Sequence, residues 1–206
     1  MSAKPNCYIV GSMGIEKEKF CPRQGDYIIA ADGGYEHLHR LGYKPDLLVG
    51  DFDSIKKVPK GVNIVRLPKE KNDTDTLYAI KLGMEKGHTS FIIHGGMGGR
   101  ADHTLANIQS LAYIAERGAT GYLIGEGTVI TALKDGKISF SAENKGIISV
   151  FCNGSVAFGV NIRGLKYPLT DATLTSDMPI GVSNEFIGSE GEVSVEKGTL
   201  IIMWSE

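Results

Sequence analysis

Apolar residues in the first two thirds of the chain alternate between two patterns. Short continuous runs at Cys7–Val10, Tyr27–Ala31, Leu47–Val49, Asn63–Leu67, Phe91–His94 and Tyr122–Ile124 read as buried strands. Between them lie helical periodicities. Tyr35–Leu41 is short. Asp73–Lys86 sets Leu77, Ile80 and Met84 on one face and ends at Gly87. Asp102–Arg117 sets Leu105, Ile108, Leu111, Ala112 and Ala115 on one face and ends at Gly118. Strands alternating with helices predict a mainly parallel sheet with helices on its faces.

After Thr128 the helical periodicity stops. Short β-rich segments follow at Val129–Lys134, Lys137–Phe140, Ile147–Phe151, Val156–Ile162, Glu192–Glu196 and Thr199–Trp204. Asp135-Gly136 and Lys197-Gly198 lie between such segments, where hairpin turns belong. The pattern predicts an α/β domain over residues 1–128 and a small antiparallel β domain over 129–206.

Composition narrows the function. With 42% hydrophobic residues the chain has enough apolar surface to fold, so disorder is excluded as its main state. A formal net charge of −2 argues against a nucleic-acid partner but not against a small phosphorylated ligand. Cys7, Cys21 and Cys152 are odd in number and widely spaced, which suits a reducing compartment and neither a disulfide framework nor a zinc site. No apolar run approaches a membrane span and Met1–Pro5 has no signal pattern, so the expectation is a cytoplasmic protein without a membrane partner.

Four polar or glycine-rich segments follow strands or open helices, where ligands of open α/β sheets bind. Asp32-Gly33-Gly34 follows the second strand; Asp32 is either a ligand group or a helix N-cap. Asp51 and Asp53 follow the third, and in extended chain they point the same way. Two such carboxylates suit Mg²⁺, unless they form a solvated turn. Lys69–Asp75 holds two lysines beside Asn72, Asp73, Thr74 and Asp75, and Asn72, Asp73 or Thr74 can cap the next helix. Gly95-Gly96-Met97-Gly98-Gly99-Arg100-Ala101-Asp102-His103 reads as a backbone anion cradle, with Arg100 able to fork onto a phosphate. His103 is expected to pack or cap. Acids alone repel phosphate and the glycine loop attracts it; together they suit a Mg-nucleotide.

These motifs, in this order, resemble thiamine pyrophosphokinase: Asp32-Gly33-Gly34, Pro45–Ser54, Lys71–Asp75 and Gly95–His103, then Gly164–Leu169 and Val182–Glu185. The chain departs at Asn72, where the family often has an acid, and at Tyr167, where some members have Trp. The resemblance implies a three-layer nucleotide-binding α/β domain followed by a β-sandwich domain. It implies a homodimer with shared active sites that moves a pyrophosphoryl group from ATP to the hydroxyethyl group of thiamine. It places Asp51, Asp53 and Asp75 around Mg²⁺. Asp32, Gly33, Gly34, Thr74, Gly95, Gly96, Gly98, Gly99 and Arg100 would hold the nucleotide, with Asp102 at the reacting end. Tyr167, Ser183 and Asn184 would contact thiamine in a domain that also carries dimerisation. Either Asp75 or Asp102 would take the hydroxyl proton. The rival readings are a Mg-dependent phosphohydrolase using Asp51 and Asp53, a non-catalytic nucleotide- or thiamine-binding protein, and a nicotinamide oxidoreductase resting on the loose fingerprint Gly96-x-Gly98-x-x-Ala101.

Overall fold

The structure is a computed structural model, described here for residues 4–51, 61–68 and 72–205. The chain divides into two compact units, Met1–Ser110 with Gly121–Glu126, and Leu111–Thr120 with Gly127–Glu206.

The first unit contains β1 (Cys7–Val10), β2 (Tyr27–Ala31), α1 (Gly34–Leu41), β3 (Leu47–Gly50), β4 (Asn63–Arg66), α2 (Asp75–Glu85) and β5 (Ser90–His94). Then come α3 (Ala101–Ala115) and β6 (Thr120–Gly125), which run across the unit boundaries. The strand order is β6–β5–β1–β2–β3–β4. The pairs β5–β1, β1–β2, β2–β3 and β3–β4 are parallel. Every residue of β1 and β3 is buried, which explains continuous apolar runs rather than alternation. The edge strand β4 is mostly exposed. Because β1 lies between β2 and β5, the chain switches direction across the sheet there, the kind of position at which open α/β sheets bind ligands.

The helices keep their predicted places but turn differently. In α2 the buried residues are Thr76, Ala79, Ile80 and Gly83, while Leu77 and Met84 are only half-buried. In α3 the buried face runs through Asn107, Ser110, Leu111 and Ile114, with Ala112 and Ala115 beside it. Leu105, expected on that face, is 58% exposed. The small residues of α2 allow close packing on the sheet, and a pattern of large apolar side chains alone overlooks them.

The second unit is antiparallel. It contains β7 (Thr128–Phe140), β8 (Ile147–Arg163), β9 (Leu169–Thr175), β10 (Asn184–Glu185) and β11 (Gly191–Ser205). The order is β10–β8–β11–β7, with β9 also pairing β8. Its core gathers Phe140, Ile148, Val150, Val160, Ile162, Val193, Leu200 and Ile202. The two predicted hairpin turns are not turns. Asp135-Gly136 lies inside β7 and Lys197-Gly198 inside β11, at one shared irregularity between Val195 and Thr199. There the Gly198 N–H donates to Asp135 Oδ1 at 2.7 Å. Residues that favour turns also favour bulges, and a bulge lets two long strands stay paired while they bend.

Candidate functional site

A cavity of about 450 Å³ opens in the first unit, at the carboxyl ends of β1, β2, β3 and β5. It gathers Asp32, Asp51, Asp73, Thr74 and Asp75 on the acidic side. Gly95, Gly96 and Arg100 line it as well. Three of the four sequence segments therefore contribute by this route, and the Asp51 segment contributes as far as it is described. Asp53, Lys69 and Lys71 lie outside the described residues.

Local structure explains each placement. Asp32 has φ 47°, uncommon for a residue with a side chain, and its N–H donates to Val49 O at 2.7 Å. It does not cap α1; Gly33 occupies the N-cap position and no side chain bonds there. Gly34 follows because any Cβ would strike the Val10 carbonyl oxygen. Thr74 is the N-cap of α2, its hydroxyl accepting from Leu77 N–H at 3.1 Å. That cap sets Asp75 in the first helical turn, where the helix dipole favours a carboxylate. Asp73 pairs instead with Lys81 at 2.6 Å.

The glycine loop is tied to the loop after β1. Gly11 N–H donates to His94 O at 2.8 Å and Met13 N–H to Gly95 O at 3.0 Å. Gly95 has φ 65°, and a Cβ there would lie 2.8 Å from Met13 O. Gly98 and Gly99 do not line the main cavity; they border a shallower hollow of about 430 Å³ with Leu105, Ile108 and Glu126.

Arg100 grips Asp102 through Nε at 3.1 Å and a second, shorter bond from Nη2. Those hydrogen bonds hold the Asp102 carboxyl below the usual carboxylate range. Asp102 itself is exposed and is not among the residues lining the cavity. His103, expected to pack or cap, is exposed and lines it.

At the end of β5, His94 is 1% exposed, and its Nε2 has no hydrogen-bond partner among the described residues. Its ring lies 6.2 Å from that of Tyr8, nearly parallel, and edge-on to Phe20. Burial pushes its pKa down to about 4.

In the second unit Tyr167, Ser183 and Asn184 come together. Asn184 is buried, and its side chain brackets the Tyr167 backbone: Oδ1 accepts from Tyr167 N–H at 2.9 Å and Nδ2 donates to Tyr167 O at 2.7 Å. The Tyr167 ring is 56% exposed. Ser183 has φ 59° and donates its N–H to Ser149 Oγ at 3.1 Å.

Sequence reasoning missed Gly11, Ser12, Met13, Thr76 and Asn107, all of which line the cavity. The first three follow β1 just as Asp32 follows β2, so strand-end position alone is a signal for them. Asn107 lies two turns into a helix and has no such signal.

Among the described residues no three Asp, Glu, His or Cys side chains gather into a group that could hold a metal by themselves. The donor set nevertheless fits Mg²⁺, which takes one or two carboxylates and completes its shell with phosphate and water oxygens. Asp51 and Asp75 supply such hard oxygens on the cavity that the glycine loop also lines.

Two family descriptions match the chain: the catalytic domain of thiamin pyrophosphokinase over residues 22–123, and its vitamin B1 binding domain over residues 137–200. The chain belongs to the thiamine pyrophosphokinase family. A thiamine pyrophosphokinase of Bacillus subtilis is 33% identical over 86% of this chain and 86% of its own. Thiamin pyrophosphokinase 1 of Caenorhabditis elegans is 27% identical over 80% of this chain and 73% of its own. A crystal structure of the Bacillus subtilis thiamine pyrophosphokinase superposes with a TM-score of 0.87 at 29% identity, covering 97% of this chain and 98% of that one. The family matches divide the chain near where the helical periodicity ends.

Proposed function

We infer that the chain is a thiamine pyrophosphokinase, an enzyme that transfers a pyrophosphoryl group from ATP to the hydroxyethyl group of thiamine, giving thiamine diphosphate and AMP. The observation that carries this reading is one cavity lined by Asp32, Asp51 and Asp75 together with Gly95, Gly96 and Arg100, in a chain that the family matches in both parts. Incubating the protein with ATP, Mg²⁺ and thiamine, then separating the products, tests it. AMP formed only when thiamine is present supports transfer. Orthophosphate release marks a phosphohydrolase, and no turnover marks a binding protein.

In this reading residues 1–128 bind ATP and carry the chemistry, and residues 129–206 bind thiamine and dimerise. Asp51, Asp53 and Asp75 hold Mg²⁺, with Asp32 close by. The metal supplies charge neutralisation at the phosphate oxygens. Gly95 and Gly96 present backbone to the phosphates, Gly98 and Gly99 carry the loop on to Arg100, and Gly33, Gly34 and Thr74 shape the acidic wall. Arg100 divides its guanidinium between Asp102 and the nucleotide. Asp75 or Asp102 takes the proton of the thiamine hydroxyl; the hydrogen bonds from Arg100 lower the proton affinity of Asp102, and a bound cation would lower that of Asp75. Tyr167 offers an exposed ring for stacking on the aminopyrimidine, with Ser183 and Asn184 beside it.

The finer architecture belongs to the same reading. Helices on both faces of the parallel strands make three layers. In the second unit, core residues from both halves of β8 and β11 pack into one cluster, which supports strands folded over into a sandwich. The exposed apolar side chains Met178, Ile180, Val182 and Ile187 support a homodimer with shared sites. The free thiols of Cys7, Cys21 and Cys152 support a cytoplasmic location. No helix among the described residues is long and apolar enough to cross a membrane.

A further inference from the structure

Asn is a poor helix former, and a buried side-chain amide needs partners. Yet α3 buries Asn107 at 5% exposure. The neighbouring buried polar residue, Ser110, bonds back within the helix, its Oγ donating to Ala106 O at 2.9 Å. Asn107 does not. Its Nδ2 reaches out of the helix and donates to Gly96 O at 2.8 Å. The fit is close: a Cβ on Gly96 would come 3.0 Å from Asn107 Nδ2 and 2.8 Å from Leu123 Cδ1. Asn107 and Gly96 both line the cavity.

A trans peptide is planar and points its C=O and N–H in opposite directions. Holding the Gly96 carbonyl against α3 therefore fixes the plane of the Gly96–Met97 peptide and turns the Met97 N–H away from the helix. In a glycine-rich segment nothing intrinsic holds such a plane, since glycine has wide conformational freedom.

We propose that Asn107 is the positioning residue of the nucleotide loop: its side-chain amide clamps the Gly96 carbonyl and so sets the direction from which the loop's backbone meets the phosphates of ATP. This rests on the reading of the cavity as an ATP site. Asn107 touches neither the reacting atoms nor the proton; it acts through Gly96. The clamp needs a donor at Nδ2. An aspartate has the same shape but only accepts, and it faces the carbonyl oxygen with a second oxygen. A leucine has a similar shape and removes the donor without adding charge.

The test measures steady-state kinetics of Asn107→Asp and Asn107→Leu with ATP, Mg²⁺ and thiamine, beside thermal unfolding. The clamp predicts that both variants raise the KM for ATP at least tenfold and leave the KM for thiamine within twofold. Asn107→Leu should unfold within a few degrees of wild type, which keeps the test valid if buried charge prevents Asn107→Asp from folding. An unchanged ATP KM in a folded Asn107→Leu overturns the proposal. So does a parallel change of kcat and both KM values that tracks lost thermal stability, because that is what a merely structural residue gives. A wild-type protein that makes no AMP from ATP and thiamine overturns the underlying reading itself, and the proposal with it.

Discussion

Both units bend their backbone sharply, but at different places. In the first, the positive-φ residues Asp32 and Gly95 stand just past the last residue of β2 and β5, where the chain leaves the sheet. In the second, Asp135, Gly159 and Gly198 stand inside β7, β8 and β11. A bend at a strand end opens a cleft and turns backbone toward it. A bend inside a strand keeps pairing on both sides and curves an apolar face onto its own core. The strand-end irregularities of the first unit therefore read as functional and the mid-strand irregularities of the second as architectural, and that difference can be broken by mutation.

The largest effect belongs to the cleft. Asp51→Asn should lower kcat about a thousandfold, on the order of 4 kcal/mol, through loss of one charged metal ligand. Circular dichroism and thermal unfolding should stay close to wild type. Near-normal turnover at low Mg²⁺ would return the acidic wall to a solvated turn.

The next effect separates the units by pH. All five histidines, His37, His39, His88, His94 and His103, lie in the first unit. His94 is buried among Tyr8 and Phe20, and burial lowers its pKa from about 6.5 to about 4; nearby Glu16 raises it and Lys19 lowers it. Above pH 6.5 the ring is neutral folded or unfolded and adds nothing. As pH falls from 6.5 toward 4, the unfolded chain takes the proton and the folded chain does not, so stability is lost, about 3 kcal/mol by pH 4. Amide exchange at β1 and β5 should accelerate between pH 7 and pH 5 beyond its intrinsic pH dependence, whereas amides of β11 should not share this term. In His94→Phe the term should disappear; a slope that survives the substitution assigns it elsewhere.

The same contrast decides what could be read from residues alone. Strands β1 and β2 match their apolar runs residue for residue, because burial on both faces leaves an uninterrupted signal. Residues alone divide β7 and β11 each into two segments, because Asp135-Gly136 and Lys197-Gly198 are equally good turns and bulges; pairing decides between them, and pairing is not local. At the site, Asp32, Asp51 and Gly95 are legible from unusual residue types at strand ends, and Asp75 from an acid at a helix start. Ser12 and Met13 carry only the positional signal of following β1; they are ordinary residues whose role comes from the register of β1 against β5. Asn107 was hidden for a third reason: its partner, Gly96, lies eleven residues away across a loop whose path composition does not specify.

The smallest effect tests the second unit. Asp135 has φ 41° and accepts from Gly198 N–H at 2.7 Å. That hydrogen bond, followed by the positive charges of Lys134 and Lys197, holds its carboxyl below the usual range. Its contribution is therefore present above the ordinary carboxylate pKa and fades as pH falls through the lower folded value. Asp135→Ala removes the acceptor and leaves a residue poorly suited to positive φ, so Tm should fall by a few degrees at pH 7. Asp135→Asn keeps an acceptor and tolerates the same φ, so it should recover most of that loss. Neither variant should change the KM for ATP or thiamine, because Asp135 lines neither the cavity nor the Tyr167 cluster. If Asp135→Ala instead loses turnover while Tm holds, then a bend inside a strand also serves function here, and the division between the two units fails.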